Sequence, residues 1–158
     1  MAELKPGDPA PEFDLAVEDG GDGRRVTLGG LKGRGLVLYF YPKDDTTGCT
    51  AEAQQFSALI DDFTKAGAFV IGVSRDSLAK HAKFRKKYDL KVALGSDEDG
   101  AVTQAYGVWG PKVLYGREYM GIERATFLIG PDSRIIQTWR KVKTAGHAQA
   151  VLKALQAT

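Results

Sequence analysis

Two stretches of the chain are almost unbroken apolar runs: GLVLYFY at 35–41 and AFVIGVS at 68–74. Runs of that length, the first closed by Pro42, predict strands buried on both faces of a sheet. Between them the period changes. Ala53, Phe56, Ile60 and Phe63 recur at helical spacing, which predicts a helix after Cys49 with Gly67 as its C-terminal cap. SLAKHAKFRKKYDL predicts an amphipathic helix with Leu78, Phe84 and Tyr88 on its apolar side.

The remaining segments are shorter. FDLAV and RRVTL, separated by EDGGDG, predict a hairpin, and KVALGS a short strand followed by a short helix in DEDGAVTQAYG. VWGPKVLYGREYMG, broken by glycine and proline, reads as an irregular loop. ATFLIG and RIIQTWR form a hairpin around Pro131-Asp132-Ser133, and HAQAVLKALQ a closing helix. Two βαβ units, a hairpin and a helix predict one α/β domain over 1–158, with a mixed central sheet and helices on both faces.

Composition narrows the function. The chain has 158 residues, 43% hydrophobic and 27% charged, which suits a globular domain with a real core. Its 22 basic and 20 acidic residues nearly cancel, which argues against nucleic acid or a membrane surface as partner. The opening MAELKPGDPAPEFDL has no apolar core of a secretory leader, and no apolar run approaches the roughly 20 residues that span a bilayer. A cytoplasmic protein is expected. Two histidines and one cysteine without tight spacing make a poor metal site.

Cys49 is the sole cysteine, so no intramolecular disulfide can form. A lone thiol is often only a small buried hydrophobe. Its setting argues otherwise. Projected back one turn, the core-facing line Ala53–Phe56–Ile60–Phe63 reaches position 49, at a helix N-terminus where unpaired N–H groups and the helix dipole favour an anion. Gly48 leaves room beside the sulfur, Thr46 and Thr47 can donate hydroxyls, and Pro42 fixes the strand exit. Glu52 suits the first helical turn but opposes a thiolate, so a cation is expected nearby: Lys43, Arg117 or Arg124.

The string Pro42-Lys43-Asp44-Asp45-Thr46-Thr47-Gly48-Cys49 resembles the peroxiredoxin active-site pattern Pro-x-x-x-Thr-x-x-Cys. YPKDDTTGCTAEA is similar to the peroxiredoxin Q, or bacterioferritin comigratory, group. GDPAPEFDL, LGSDEDGAVTQAYGVWG and GIERATFLIGPDSRI resemble that group's opening, middle and arginine-bearing segments. The resemblance implies a thioredoxin-like three-layer α/β/α sandwich with an N-terminal hairpin extension. It implies a cofactor-free peroxidase acting on hydrogen peroxide and organic hydroperoxides. Cys49 would be the peroxidatic nucleophile. Thr46 would hydrogen-bond the peroxide, and Arg124 would stabilise thiolate and peroxide. Pro42 would shield the sulfur, Glu52 would orient the arginine, and backbone N–H groups near Gly48 would help bind substrate. The group's monomeric habit is expected here too.

Two positions depart from the group. Thr47 stands where many relatives have proline, which predicts a differently capped turn. Gln54 stands where some relatives carry a resolving cysteine, and SLAKHAKFRKKYDL has none. A one-cysteine mechanism follows, with the sulfenic acid reduced by an external thiol such as thioredoxin, glutaredoxin or glutathione.

Other signals are weaker. His81 and His147 lack a catalytic-triad context and are expected to be exposed or capping residues. Trp109 and Tyr106 pack under a loop or line the mouth of the site. KHAKFRKK reads as a solvated helix face, and TLGGLKGRG as a turn without phosphate-loop spacing. No long apolar surface stretch is evident. Against the peroxidase stand a thiol–disulfide oxidoreductase, weak because Thr46 and Glu52 occupy the partner positions of a Cys-x-x-Cys, and a non-enzymatic binding or chaperone module with an inert Cys49.

Overall fold

The computed structural model describes residues 3–21 and 23–158; the first two residues of the opening segment, and residue 22 in the first hairpin's link, lie outside them. Among the described residues, nine strands and five α-helices follow in the order β1 (Asp14–Glu18), β2 (Arg24–Thr27), β3 (Gly35–Phe40), α1 (Thr47–Ala58), α2 (Ile60–Lys65), β4 (Ala68–Ser74), α3 (Leu78–Lys87), β5 (Ala93–Ser96), α4 (Ala101–Ala105), β6 (Trp109–Leu114), β7 (Arg117–Ile122), β8 (Ala125–Ile129), β9 (Ile135–Trp139) and α5 (His147–Gln156). A short 3₁₀ turn at Gly29–Leu31 occupies the predicted turn segment.

Seven strands form one mixed sheet, ordered β2-β1-β5-β4-β3-β8-β9. β3, β4 and β5 run parallel, and β8, β9, β1 and β2 are added antiparallel on the two flanks. Strand β3 is buried along its whole length, and its alternation divides the core. Leu36, Leu38 and Phe40 face one layer, with Phe13, Ile71, Tyr106 and Phe127. Val37, Tyr39 and Tyr41 face the other, with Cys49, Phe56, Phe63, Phe84 and Val151. The crossovers β3-α1-α2-β4 and β4-α3-β5 step the same way along the sheet, which puts α1, α2 and α3 on one face. There α5 joins them. Among the described residues the opposite face carries α4, the 3₁₀ turn, the N-terminal arm and the base of the β6–β7 ribbon, so the three layers are unequal.

Four expectations need correction. The predicted single helix after Cys49 is two. It begins at Thr47, before the cysteine, and breaks at Leu59, whose φ of −103° and ψ of 8° leave helical geometry. Glu52 therefore lies in the second turn, and the break turns Ile60 partly to the surface while Phe63 stays buried. The segment read as an irregular loop is a two-stranded ribbon, β6 paired with β7 from Trp109↔Ile122 to Leu114↔Arg117. It turns at Tyr115 and Gly116, both left-handed at φ 53° and 75°. A two-residue turn of that kind usually announces itself with Asn, Asp or Gly at the first position, and here that position is tyrosine. Contrary to expectation, the ribbon also exposes apolar side chains, with Val113 71% and Tyr115 99% accessible. Finally, both histidines are buried rather than surface or capping residues.

Candidate active site

The site forms where the C-terminal end of β3 hands over to α1. Pro42 ends the strand, and a loop through Asp45 leads to Thr46, an extended N-cap residue. No side chain caps α1. The Thr46 hydroxyl instead donates to the Lys43 carbonyl at 3.0 Å. Cys49 then sits in the first turn of α1 and is only 1% exposed. Its position combines a helix N-terminus with a wall of core aromatics, as the projected helix face requires.

The expected cation is Arg124, delivered by the segment between β7 and β8. Its Nη2 lies 3.2 Å from Cys49 Sγ, and its Nη1 donates to Glu52 Oε1 at 2.7 Å. A planar guanidinium can serve both acceptors at once, which a lysine could not do with fixed geometry. Gly48 is what permits the approach: a Cβ there would sit 3.1 Å from Arg124 Nη2. Of the other two candidate cations, Lys43 stays in the loop with an exposed side chain, and Arg117 lies exposed beside the ribbon turn, away from the sulfur.

Glu52 is fully buried, and its Oε2 has no hydrogen-bond partner among the described residues. Burial dominates over the nearby Arg124 charge and pushes its carboxyl up to about 7. Near neutral pH, Arg124 is therefore only partly neutralised by its carboxyl partner, and its remaining charge faces the sulfur. The same charge reaches His147, which accepts or donates through Nε2 to Thr126 Oγ1 at 2.8 Å. Burial first, and Arg124 second, bring His147 down to about 4, so it is neutral under ordinary conditions.

Two features escaped the sequence. Lys112, on the ribbon, donates to the Ile122 carbonyl at 2.8 Å and sits close enough to feel both Arg124 and Cys49. Desolvation, then Arg124, lowers its ammonium from the ordinary value. It helps line a cleft of about 590 Å³ beside Pro42, whose apolar wall includes Trp109, Met120 and Ile122. Trp109 lines this cleft, stacked under the Arg75 guanidinium at 4.4 Å, whereas Tyr106 is core and donates to the Pro11 carbonyl. The second feature is a buried cluster around His81 and Asp44. Nothing in local spacing announces either, because the partners come from separate elements. Among the described residues no group of three or more His, Cys, Asp or Glu could hold a metal ion.

The AhpC/TSA family profile matches residues 6–138. A curated relative from Xanthomonas campestris pv. campestris, named Peroxiredoxin Bcp, is 50% identical over 94% of this chain and 92% of its own length. Another Peroxiredoxin Bcp, from Bacillus subtilis, is 45% identical over 95% of this chain and 94% of its own. Among solved structures, a Xylella fastidiosa PrxQ mutant superposes with a TM-score of 0.91 at 38% identity, covering 99% of this chain and 98% of that one. A Xanthomonas campestris structure, titled for the alkyl peroxide reduction activity of its bacterioferritin comigratory protein, gives a TM-score of 0.85 at 48% identity, covering 92% and 90%.

Proposed function

The chain belongs to the AhpC/TSA family, among its Bcp or Q-type peroxiredoxins, and on that premise we propose how this thiol peroxidase works through Cys49. One observation carries the reading: the buried Cys49 sulfur lies 3.2 Å from a guanidinium that a buried carboxylate braces from the other side.

The Cys49 thiolate attacks one oxygen of a hydroperoxide in line with the O–O bond. An S–O bond forms and the O–O bond breaks; the attacked oxygen keeps its hydrogen, and the departing oxygen takes the electron pair and a proton from solvent, equal to the one the thiol released on ionising, to leave as water or an alcohol. Arg124 and the backbone N–H groups at Gly48 and Cys49 stabilise the charge that moves onto that oxygen, and the Thr46 hydroxyl joins them by turning the proton it gives here to the Lys43 carbonyl toward the peroxide. Pro42 screens the sulfur from bulk water, and Glu52 keeps the guanidinium aimed. The product on the enzyme is the Cys49 sulfenic acid.

Both hydrogen peroxide and organic hydroperoxides are substrates in this reading. Supporting the second is the cleft beside Pro42, whose Trp109, Met120 and Ile122 offer an apolar wall to an alkyl group. Cys49 is the sole cysteine, so an external thiol must attack the sulfenic acid, release water and form a mixed disulfide. A second thiol then frees Cys49. Thioredoxin, glutaredoxin and glutathione all supply the needed chemistry. The protein acts as a cytoplasmic monomer of one domain, without a prosthetic group. No helix among the described residues is long and apolar enough to cross a membrane.

The test is the intact mass of reduced protein before and after one equivalent of hydrogen peroxide with dimedone present. A rapid adduct at Cys49 is expected. Protein unmodified after minutes would overturn the reading and favour an inert thiol. Steady-state peroxide consumption with each candidate reductant then ranks the thiols.

A further inference from the structure

The loop that delivers Cys49 is held from below by a polar cluster with no part in the steps above. Tyr41 donates its hydroxyl to Asp44 Oδ1 at 2.5 Å. His81 Nδ1 meets Asp44 Oδ2 at 2.6 Å, and its Nε2 lies 2.9 Å from the Gly95 carbonyl. A carbonyl only accepts, so Nε2 carries a proton. A single further proton lies between Nδ1 and the carboxylate. The Asp44 backbone N–H donates to Asp76 Oδ2 at 2.8 Å, and that oxygen also takes the Ser74 hydroxyl at 2.7 Å. Burial first, and Asp44 next, hold the Tyr41 phenol well above its ordinary range, so it remains a donor.

The His81–Asp44 contact at the centre of this cluster is buried, while Asp76 at its edge is partly exposed. The His81 side chain is 0% exposed and that of Asp44 6%. It joins the end of β3, the loop, the β4–α3 connection, α3 and β5. The next residue, Asp45, is left-handed at φ 60°, a conformation that aspartate tolerates better than most side chains and that turns the loop sharply here. Its carboxylate is tied to α3 as well, through Tyr88 and Lys87. So Asp44 and Asp45 are both fastened to α3 immediately before Thr46 opens the cysteine helix.

We propose that His81 is a positioning residue for the peroxidase: through Asp44 it sets the Tyr41–Thr46 loop, and so the place of Cys49 and Thr46 relative to Arg124. It touches no reacting atom. Its effect is on alignment, which in-line attack on a peroxide demands and simple alkylation of a thiolate does not. This inference rests on the peroxidase reading.

The experiment measures two reactions of the reduced protein at one pH: the second-order rate with hydrogen peroxide by stopped-flow, and the rate with iodoacetamide. The variants are His81→Gln, Asp44→Asn and the double. The peroxide rate is expected to fall about 10- to 100-fold in each single variant while alkylation stays within about threefold. The double variant should lose no more than the worse single, because both break one contact. Should His81→Gln fail to fold, Asp44→Asn interrogates the same contact under the same criteria. A peroxide rate within about twofold of wild type, an equal fall in both reactions, or losses that multiply in the double would overturn the proposal. A wild-type protein inert to peroxide would instead overturn the function it rests on, so the two failures are distinct.

Discussion

Two buried acid–base pairs flank the cysteine loop, and they are built differently. At one, Asp44 and His81 use every polar side-chain atom: both carboxylate oxygens and both ring nitrogens have partners, and so does the Asp44 N–H. At the other, Glu52 leaves Oε2 without a partner, and Arg124 divides its guanidinium between a carboxylate and a sulfur. The Arg124 side chain is also 16% exposed, whereas Glu52 is at 0%. A saturated pair fixes structure and has nothing left to give to a ligand. An unsaturated pair holds charge in reserve. A lone carboxylate against a permanent cation, with burial raising the carboxyl to about 7, leaves positive charge available to whatever approaches the sulfur.

The contrast breaks most severely at the sulfur itself. Cys49→Ser should reduce peroxide turnover to the uncatalysed background and leave the fold intact, since the side chains are nearly isosteric; an intact-mass assay with dimedone checks this. Arg124→Lys tests whether charge alone suffices. A compact ammonium cannot bridge Glu52 and Cys49 with fixed geometry, so the peroxide rate should fall about 10²- to 10³-fold, the usual cost of a lost transition-state donor. A loss under threefold would mean that the fork geometry is irrelevant.

Glu52 sharpens the comparison at smaller scale. Glu52→Gln keeps an oxygen acceptor for Arg124 Nη1, and Glu52→Ala removes it. The alanine variant should be slower with peroxide by about tenfold, through a guanidinium no longer aimed. The glutamine variant should stay close to wild type. Equal losses in both would assign the role to the negative charge rather than to orientation.

How much of this could be read in the sequence depends on how far apart the partners are. Strand β3 is legible because its unbroken apolar run records burial on both faces, and helix α5 because its apolar period does. Cys49 was legible because Pro42, Thr46 and Gly48 stand within one loop of it. Arg124 lies 75 residues from Cys49, and only the likeness of GIERATF to a known segment singled it out over Lys43 and Arg117. His81 and Asp44, 37 residues apart, had no such help. In a lysine-rich helix His81 looked solvated, although it lies one turn before the buried Phe84 on the inward face. The ribbon was misread for the opposite reason. Val113, Leu114, Tyr115 and Met120 near its turn are exposed, and only Ile122 at its base is buried, so its apolar pattern carries little information about burial.

The last and smallest effect concerns pH, where Glu52 and a third buried group oppose each other. Glu52 moves from 4.5 to about 7 on folding. Between those values the folded chain holds the proton that the unfolded chain has released, so stability falls as pH rises. The full excursion is about 3 kcal/mol, an order-of-magnitude figure. His147 moves the other way, from 6.5 to about 4. Between those values the unfolded chain binds the extra proton, so stability rises with pH by a similar amount. From about pH 4.5 to 6.5 the two slopes cancel, and wild type should show little net dependence from this pair. Glu52→Gln removes the falling limb. Relative to wild type, its unfolding free energy should gain up to ~1.4 kcal/mol per pH unit across the window from 4.5 to 7. Urea titrations at half-unit steps would measure the difference. A flat difference would mean that Glu52 is ionised throughout, fully committed to Arg124. Arg124 would then hold no charge in reserve, and the distinction between scaffold and site would have to rest on the unpartnered Glu52 Oε2 and the sulfur.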